Sequence, residues 1–310
     1  MDLKTIDIEE IEVKSVYTKT AIPATEYVAN PYVGCPHSCC YCYASFMKRF
    51  SGHRQDWGAF VDVKQWKATP PAQCRSLMIS SVTDPYNPLE EKYLRTQKIL
   101  KELLDHGHED TELLIITKSN LVVRDIPLIK KFNRPRVAFS INTLDESFRE
   151  AMDHAKPIKD RIEAMKACHK QGIRTICFIS PIFPELTDVC AIIDRVRPYA
   201  NYIWLENLQL RGDYKLRILE YIKKSHPKLY PTYEKLYKGN LVKTKAFRKE
   251  YWANEWKKIK THCDKQKIPT DESKDSSKTR EDDLTTICVY NLLHDGSPEK
   301  TLGKKASKSK

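Results

Sequence analysis

The chain has 310 residues, 41% hydrophobic and 30% charged, with ten cysteines and a formal net charge of +12. That length suits one large α/β domain with an appendage, and no stretch approaches the ~18 apolar residues that would mark a membrane span. Met1 to Glu12 alternates acids with isoleucines and has no apolar secretory core, so a soluble cytoplasmic protein is expected. Its cysteines then serve as ligands or core residues rather than disulfides.

Residues 1–25 read as an extension with one edge strand from Ile11 to Tyr17, and Glu26 to Val33 as the first strand of the main domain. A cysteine-rich loop follows, then a helix through about Phe50 and a short strand at Phe60–Val63. Leu77–Ser81 is an apolar run of the buried-strand kind. Glu90–His106 has helical apolar spacing and ends at Gly107. Strands at Leu113–Thr117, Val137–Ile141, Thr175–Ile179 and Tyr202–Leu205 alternate with helices at Val122–Phe132, Asp145 onward, Pro157–Gln171 and Leu186–Val196. Alternation at this spacing predicts a parallel sheet, and continuous apolar strands predict that both of its faces are covered. Six βα units are too few for a closed eight-fold barrel.

Beyond residue 210 the composition changes. Residues 1–210 carry 28 Lys and Arg against 27 Asp and Glu, whereas residues 211–270 carry 17 against 6, a net of +11. This basic segment reads as helices Asp213–Lys224, Pro231–Lys238 and Thr244–Gln266, with interleaved aromatics from Tyr214 to Trp256. Lysines neutralise phosphates and exposed rings stack on unpaired bases, so residues 211–270 are a candidate nucleic-acid surface. The same pattern also describes amphipathic helices that pack their aromatics on a barrel. Residues 271–283 form a polar linker, Leu284–Leu293 an apolar segment able to pack as a strand, and the end a lysine-rich tail.

The richest chemistry lies in Asn30–Arg49. Cys35, Cys39 and Cys42 stand as C-x3-C-x2-C, with Pro31, Gly34 and Pro36 marking a turn. Three soft thiolates on a short loop suit a [4Fe–4S] cube with one iron left open. A closed zinc site would use the same cysteines with His37 or Cys40 as fourth ligand, which leaves a zinc-stabilised, non-catalytic nucleic-acid-binding protein as the alternative. Cys40, adjacent to Cys39, points elsewhere and is expected to be non-ligating.

The C-x3-C-x2-C spacing with Tyr41 before the last cysteine resembles the signature of the radical S-adenosylmethionine (radical SAM) enzymes. The longer string Asn-Pro-Tyr-x-Gly-Cys-x-His-x-Cys-x-Tyr-Cys-Tyr-Ala is similar to the branch related to spore photoproduct lyase. So are Ser81–Tyr86, Thr117–Asn120, Ser140–Asp145 and Ser180–Pro184, in the same order from about Glu26 to Leu210. The resemblance implies a partial (β/α)6 TIM-type barrel over residues 26–210. It also implies a [4Fe–4S] cluster on Cys35, Cys39 and Cys42, and S-adenosylmethionine split to a 5′-deoxyadenosyl radical that takes hydrogen from a substrate. An electron donor such as flavodoxin or ferredoxin is implied, and a second radical SAM protein is a candidate partner.

Residue by residue, the resemblance puts Tyr41 beside the adenine and Ser81, Thr83 and Asp84 on the methionine ammonium. Lys118 would meet the methionine carboxylate, and Ser140 and Asn142 the ribose or methionine part. Spore photoproduct lyase carries a hydrogen-returning cysteine where this chain has Ser81. A serine O–H bond is too strong for that task, which argues against photoproduct repair.

Overall fold

The computed structural model describes residues 5–210, 212, 214–238, 244–271 and 287–289. Six central strands run in sequence order: β1 (Tyr27–Ala29), β2 (Ser76–Ile79), β3 (Glu112–Thr117), β4 (Pro135–Ser140), β5 (Arg174–Ile182) and β6 (Tyr202–Asn207). Every neighbouring pair is parallel, with Tyr27 opposite Leu77, Leu77 opposite Leu113, Leu113 opposite Pro135, Val137 opposite Thr175 and Ile176 opposite Tyr202. Parallel neighbours need crossovers, supplied here by helices that include Arg95–Asp105, Ile158–Lys170 and Val189–Val196. This is the open, partial barrel expected from the alternation.

Successive strand residues face opposite sides. Val28, Met78, Leu114, Ala138 and Ile176 form one apolar cluster, joined by Ile116, Phe178 and Trp204, and line the barrel. Their neighbours Ala29, Leu77, Leu113, Val137 and Cys177 pack outward against helix residues such as Leu100, Met165 and Ile192. With both faces buried, the strands have no polar alternate positions to reveal a period of two.

The elements outside the barrel depart from expectation in instructive ways. The N-terminal extension forms two strands, Asp7–Glu12 and Tyr17–Lys19, rather than one. The first pairs parallel with Phe60–Gln65, which also takes Tyr32–Val33 into a separate three-stranded sheet, so Pro31 ends β1 early. The helix expected over Glu90–His106 breaks at Leu94, which is left-handed with φ of 54°. The break lets the buried Glu90 carboxylate accept from the Thr96 and Gln97 amides at 3.0 and 3.2 Å and cap the second piece. The helix expected over Val122–Phe132 is a 3-10 turn, Asn120–Asp125, and one α turn, Ile126–Ile129.

The basic segment forms helices Tyr214–Ser225, Tyr230–Tyr237 and Lys245–Lys265. Trp252, Trp256, Ile259 and Cys263 join the barrel's outer core, while Ile218, Ile222, Tyr233 and Leu236 join Tyr41, Phe148 and Phe183. Tyr214, Tyr233, Tyr237, Trp252 and Trp256 are buried, and Tyr221, Tyr230, Phe247 and Tyr251 are half-buried. Five of these aromatics therefore pack in the core and four keep part of their surface, whereas Lys249, Lys257 and Lys258 stay exposed. Ile287–Val289 adds a strand parallel to β6 and pairs with Thr270–Asp271. The rest of the expected 271–283 linker, of Leu284–Leu293 and of the lysine tail lies outside the described residues.

Candidate active site

The cysteine loop leaves β1 at the C-terminal end of the sheet and is fixed by close packing. Gly34 has φ of +86°, and a Cβ there would lie 2.2 Å from the Phe60 carbonyl oxygen. Gly58, at φ +101°, packs against Ser38 so closely that a Cβ would sit 2.5 Å from its Oγ. The Cys40 amide donates to the Met152 carbonyl and the His154 amide to the His37 carbonyl, both at 2.8 Å, which stitches the loop to the end of helix Glu146–Met152.

The three cysteines lie close enough for their charges to act on one another. Burial, with the charges of Asp84 and Cys42 adding, pushes Cys35 up to about 12. Burial likewise raises Cys39, whose neighbours include Lys118, Cys42 and Cys35, and raises Cys42. By area Cys39 and Cys42 are half-buried, but protein surrounds their sulfurs on most sides. Backbone N–H groups of Asp84 and His37 oppose the rise at Cys35, and those of Ala44 and Ser45 with the Trp57 indole oppose it at Cys42. Cys40 instead turns its thiol to the Ala151 carbonyl at 3.6 Å, as expected for a non-ligand.

The barrel's alternation places the polar groups. Two residues beyond the lining positions Val28, Ile116, Ala138, Phe178 and Trp204 stand Asn30, Lys118, Ser140, Ser180 and Glu206. Lys118 is half-buried, its charge acts on Cys39, Cys42 and Asp153, and its Nζ lies 5.7 Å from the Tyr41 ring centre. Among the described residues no carboxylate forms an ion pair with it. Ser81 and Thr83 are half-buried, and the Ser81 amide donates to Asn30 Oδ1 at 2.8 Å. Ser140 and Asn142 are buried; Asn142 Nδ2 donates to the Pro181 carbonyl at 3.4 Å, tying β4 to β5. Ser180 Oγ donates to Glu206 across the ends of β5 and β6.

Two of the expected site residues are engaged within the protein. Asp84 Oδ1 accepts from Thr117 Oγ1 at 2.7 Å and the Tyr86 amide at 2.9 Å. Its Oδ2 accepts from the Lys118 amide at 2.7 Å and faces His37 Nε2 at 3.1 Å, off the line of a well-formed hydrogen bond. Burial would raise this carboxyl, but His37 and the donors outweigh it and hold it below the usual carboxylate range. With both oxygens engaged, Asp84 joins β2, β3 and the cysteine loop. Tyr41, expected beside an adenine, is a core residue: its hydroxyl donates to Asp153 Oδ2 at 3.0 Å and its ring meets Phe183 edge-on at 5.6 Å.

Several groups escaped the sequence reading. The Asp153–Arg161 pair, at 2.8 Å with both side chains 1% exposed, links Tyr41 to the Ser140 carbonyl, which accepts from Arg161 at 3.1 Å. Nothing in the spacing of residues 153 and 161 announces it. Glu206 was legible, because it ends a barrel strand as Lys118 does. Trp57 carried no motif at all.

The donor set fits an iron–sulfur cluster better than a single ion. A zinc ion with bonds of about 2.3 Å draws its sulfurs to roughly 4 Å from one another. Among the described residues only Glu9, His53 and Asp62 bring three ligand atoms within 4.8 Å, so the loop thiols stand wider apart. Beside them, the buried Trp57 Nε1 and His37 Nδ1 have no hydrogen-bond partner. Such orphans are rare in proteins and mark a missing acceptor, which cluster sulfurs would provide.

Comparison with known proteins agrees. The structure overlays spore photoproduct lyase complexed with a dinucleoside spore photoproduct at a TM-score of 0.50 and 14% identity, over 71% of this chain and 66% of that one, just under two thirds. An uncharacterized protein of Methanocaldococcus jannaschii is 34% identical over 201 residues, 63% of this chain and 74% of its own length. Another, of Mycobacterium bovis, is 26% identical over 221 residues, 65% of this chain and 64% of its own length. The Radical SAM superfamily model matches residues 29–194, more than half of the chain and the part that builds this site, and the chain therefore belongs to the radical SAM superfamily.

Proposed function

We propose that Cys35, Cys39 and Cys42 hold a [4Fe–4S] cluster and that S-adenosylmethionine binds between it and the ends of β2 to β6. The observation that carries this reading is the placement of Lys118, a half-buried ammonium with no carboxylate partner among the described residues, whose field reaches two of the three thiols. When bound and reduced, the cluster supplies the electron that splits the sulfonium, and the resulting 5′-deoxyadenosyl radical takes hydrogen from a substrate.

The chain's own residues then have distinct tasks. Lys118 pairs with the methionine carboxylate. Ser81 and Thr83 hydroxyls, with the Glu206 carboxylate, accept from the methionine ammonium in place of Asp84. Ser140 and Asn142 face the ribose. The apolar lining below them keeps water from the reacting atoms. Serine at 81 offers no hydrogen-returning thiol, and among the described residues Cys74 and Cys177 are buried in the outer core. The reaction is therefore proposed to differ from photoproduct repair. An electron carrier such as flavodoxin or ferredoxin has a suitable landing place on exposed Phe46 and Phe50, whose rings carry the Arg49 guanidinium at 5.9 and 5.7 Å just after the cysteine loop. The exposed lysines of the last helix supply attraction for phosphate groups without base stacking.

The test is product analysis. Anaerobically reduced protein incubated with S-adenosylmethionine should release 5′-deoxyadenosine and methionine, slowly without substrate. S-adenosylhomocysteine as sole product would make it a conventional methyltransferase and end this reading.

A further inference from the structure

We infer that Trp57 is a positioning residue that raises the reduction potential of the cluster by donating its indole N–H to the sulfur of Cys42. The inference rests on the cluster assignment above.

Trp57 is buried, and it shares one apolar cluster with Cys35, Ala44 and Phe60, against which Cys42 also packs. Its ring is fixed edge-on to Phe60, at 5.8 Å and 86°. The next residue, Gly58, allows the chain to press against Ser38 of the cysteine loop, a contact that a side chain at 58 would obstruct. So fixed, the buried Nε1–H has no hydrogen-bond partner, and Cys42 packs against the same apolar cluster. A tryptophan N–H can only donate, and a buried unmet donor is costly. A thiolate bound to iron is the acceptor that removes this cost.

The consequence is electrochemical. Hydrogen bonds to cluster sulfurs help set the potential, because a donor stabilises the more negative, reduced form most. Backbone amides of His37, Asp84, Ala44 and Ser45 also favour the Cys35 and Cys42 thiolates. Only proline would remove such a donor. The Trp57 indole is a side-chain donor that a conservative substitution can adjust. A Phe at 57 keeps a ring against Phe60 but lowers the potential, so that a given reductant loads fewer clusters.

The experiment is a potentiometric titration, followed by electron paramagnetic resonance, of anaerobically reconstituted protein at fixed pH. Trp57→Phe should shift the midpoint negative by a tenfold change in the reduction equilibrium, about 59 mV for one electron. Trp252→Phe, which also cuts a buried tryptophan but far from the loop in sequence and in the outer core, should leave it unchanged. Where Trp57→Phe does not assemble a cluster, wild-type protein containing 5-fluorotryptophan, a stronger N–H donor of nearly the same shape, should shift the midpoint positive. Equal midpoints in wild type and Trp57→Phe at equal iron content, or no positive shift on fluorination, overturn the inference. A wild-type protein that takes up no cluster would instead overturn the assignment beneath it.

Discussion

Asp84→Asn separates two roles for one residue. As a hub, the carboxylate accepts from Thr117 Oγ1, the Tyr86 amide and the Lys118 amide at 2.7 to 2.9 Å, with His37 Nε2 at 3.1 Å. Asparagine keeps one oxygen and turns an NH2 toward two of these donors. One buried group left unmet costs about 1–3 kcal/mol, and trading charged for neutral acceptors adds about 1 kcal/mol or more. The total of about 2–4 kcal/mol approaches that for breaking a buried pair. For a protein of this size each kcal/mol lowers Tm by about 2–4 °C, so cluster-free Asp84→Asn should melt roughly 4–16 °C below wild type by circular dichroism. Below its Tm, S-adenosylmethionine binding should fall no more than the loosened loop requires. A variant that melts with wild type but has lost S-adenosylmethionine binding would refute the hub and restore Asp84 as the ammonium ligand.

Lys118→Ala removes a charge-assisted contact of about 1.5–3 kcal/mol, so equilibrium binding of S-adenosylmethionine should weaken about ten- to a hundredfold with the iron content intact; unchanged affinity would remove Lys118 from the site. Arg161→Met strands the buried Asp153 carboxylate and should cost about 3–5 kcal/mol in urea unfolding, much of it regained in Asp153→Leu/Arg161→Met; a double variant as weak as the single one would contradict that account. The Cys35 thiol is raised from 9.0 to about 12 by burial first, so in cluster-free protein its share of stability is complete below pH 9, where folded and unfolded thiols are both protonated, and is lost as pH rises toward 12. Urea midpoints of reduced cluster-free protein should therefore fall above that lower limit, less steeply in Cys35→Ala; identical slopes would remove Cys35 as a cause.

The sequence exposed whatever depends on local spacing. The three cysteines, the βα alternation and Lys118 at the end of β3 follow from periods and strand ends, and the structure places them where that logic puts them. What it concealed depends on groups far apart in the chain. Glu90 breaks a helix at Leu94 because it must meet the amides of Thr96 and Gln97 along with Arg124, which no apolar period registers. Asp84 looked available because its partners, Thr117 and Lys118, lie more than thirty residues on. Tyr41 fitted the motif, but burial among Phe183 and the basic helices, with Asp153 on its hydroxyl, makes it core. The aromatics of residues 211–270 likewise satisfied two readings, and the burial of Tyr214, Tyr233, Tyr237, Trp252 and Trp256 favours packing for those five.

Iron and sulfide content after anaerobic reconstitution, measured side by side for wild type, Cys39→Ala and Cys40→Ala, tests the central assignment most directly. Wild type and Cys40→Ala should each bind about four irons and absorb near 400 nm, as a [4Fe–4S] protein does, whereas Cys39→Ala should bind almost none. Full iron in Cys39→Ala, or a colourless wild type holding one zinc, would contradict the account.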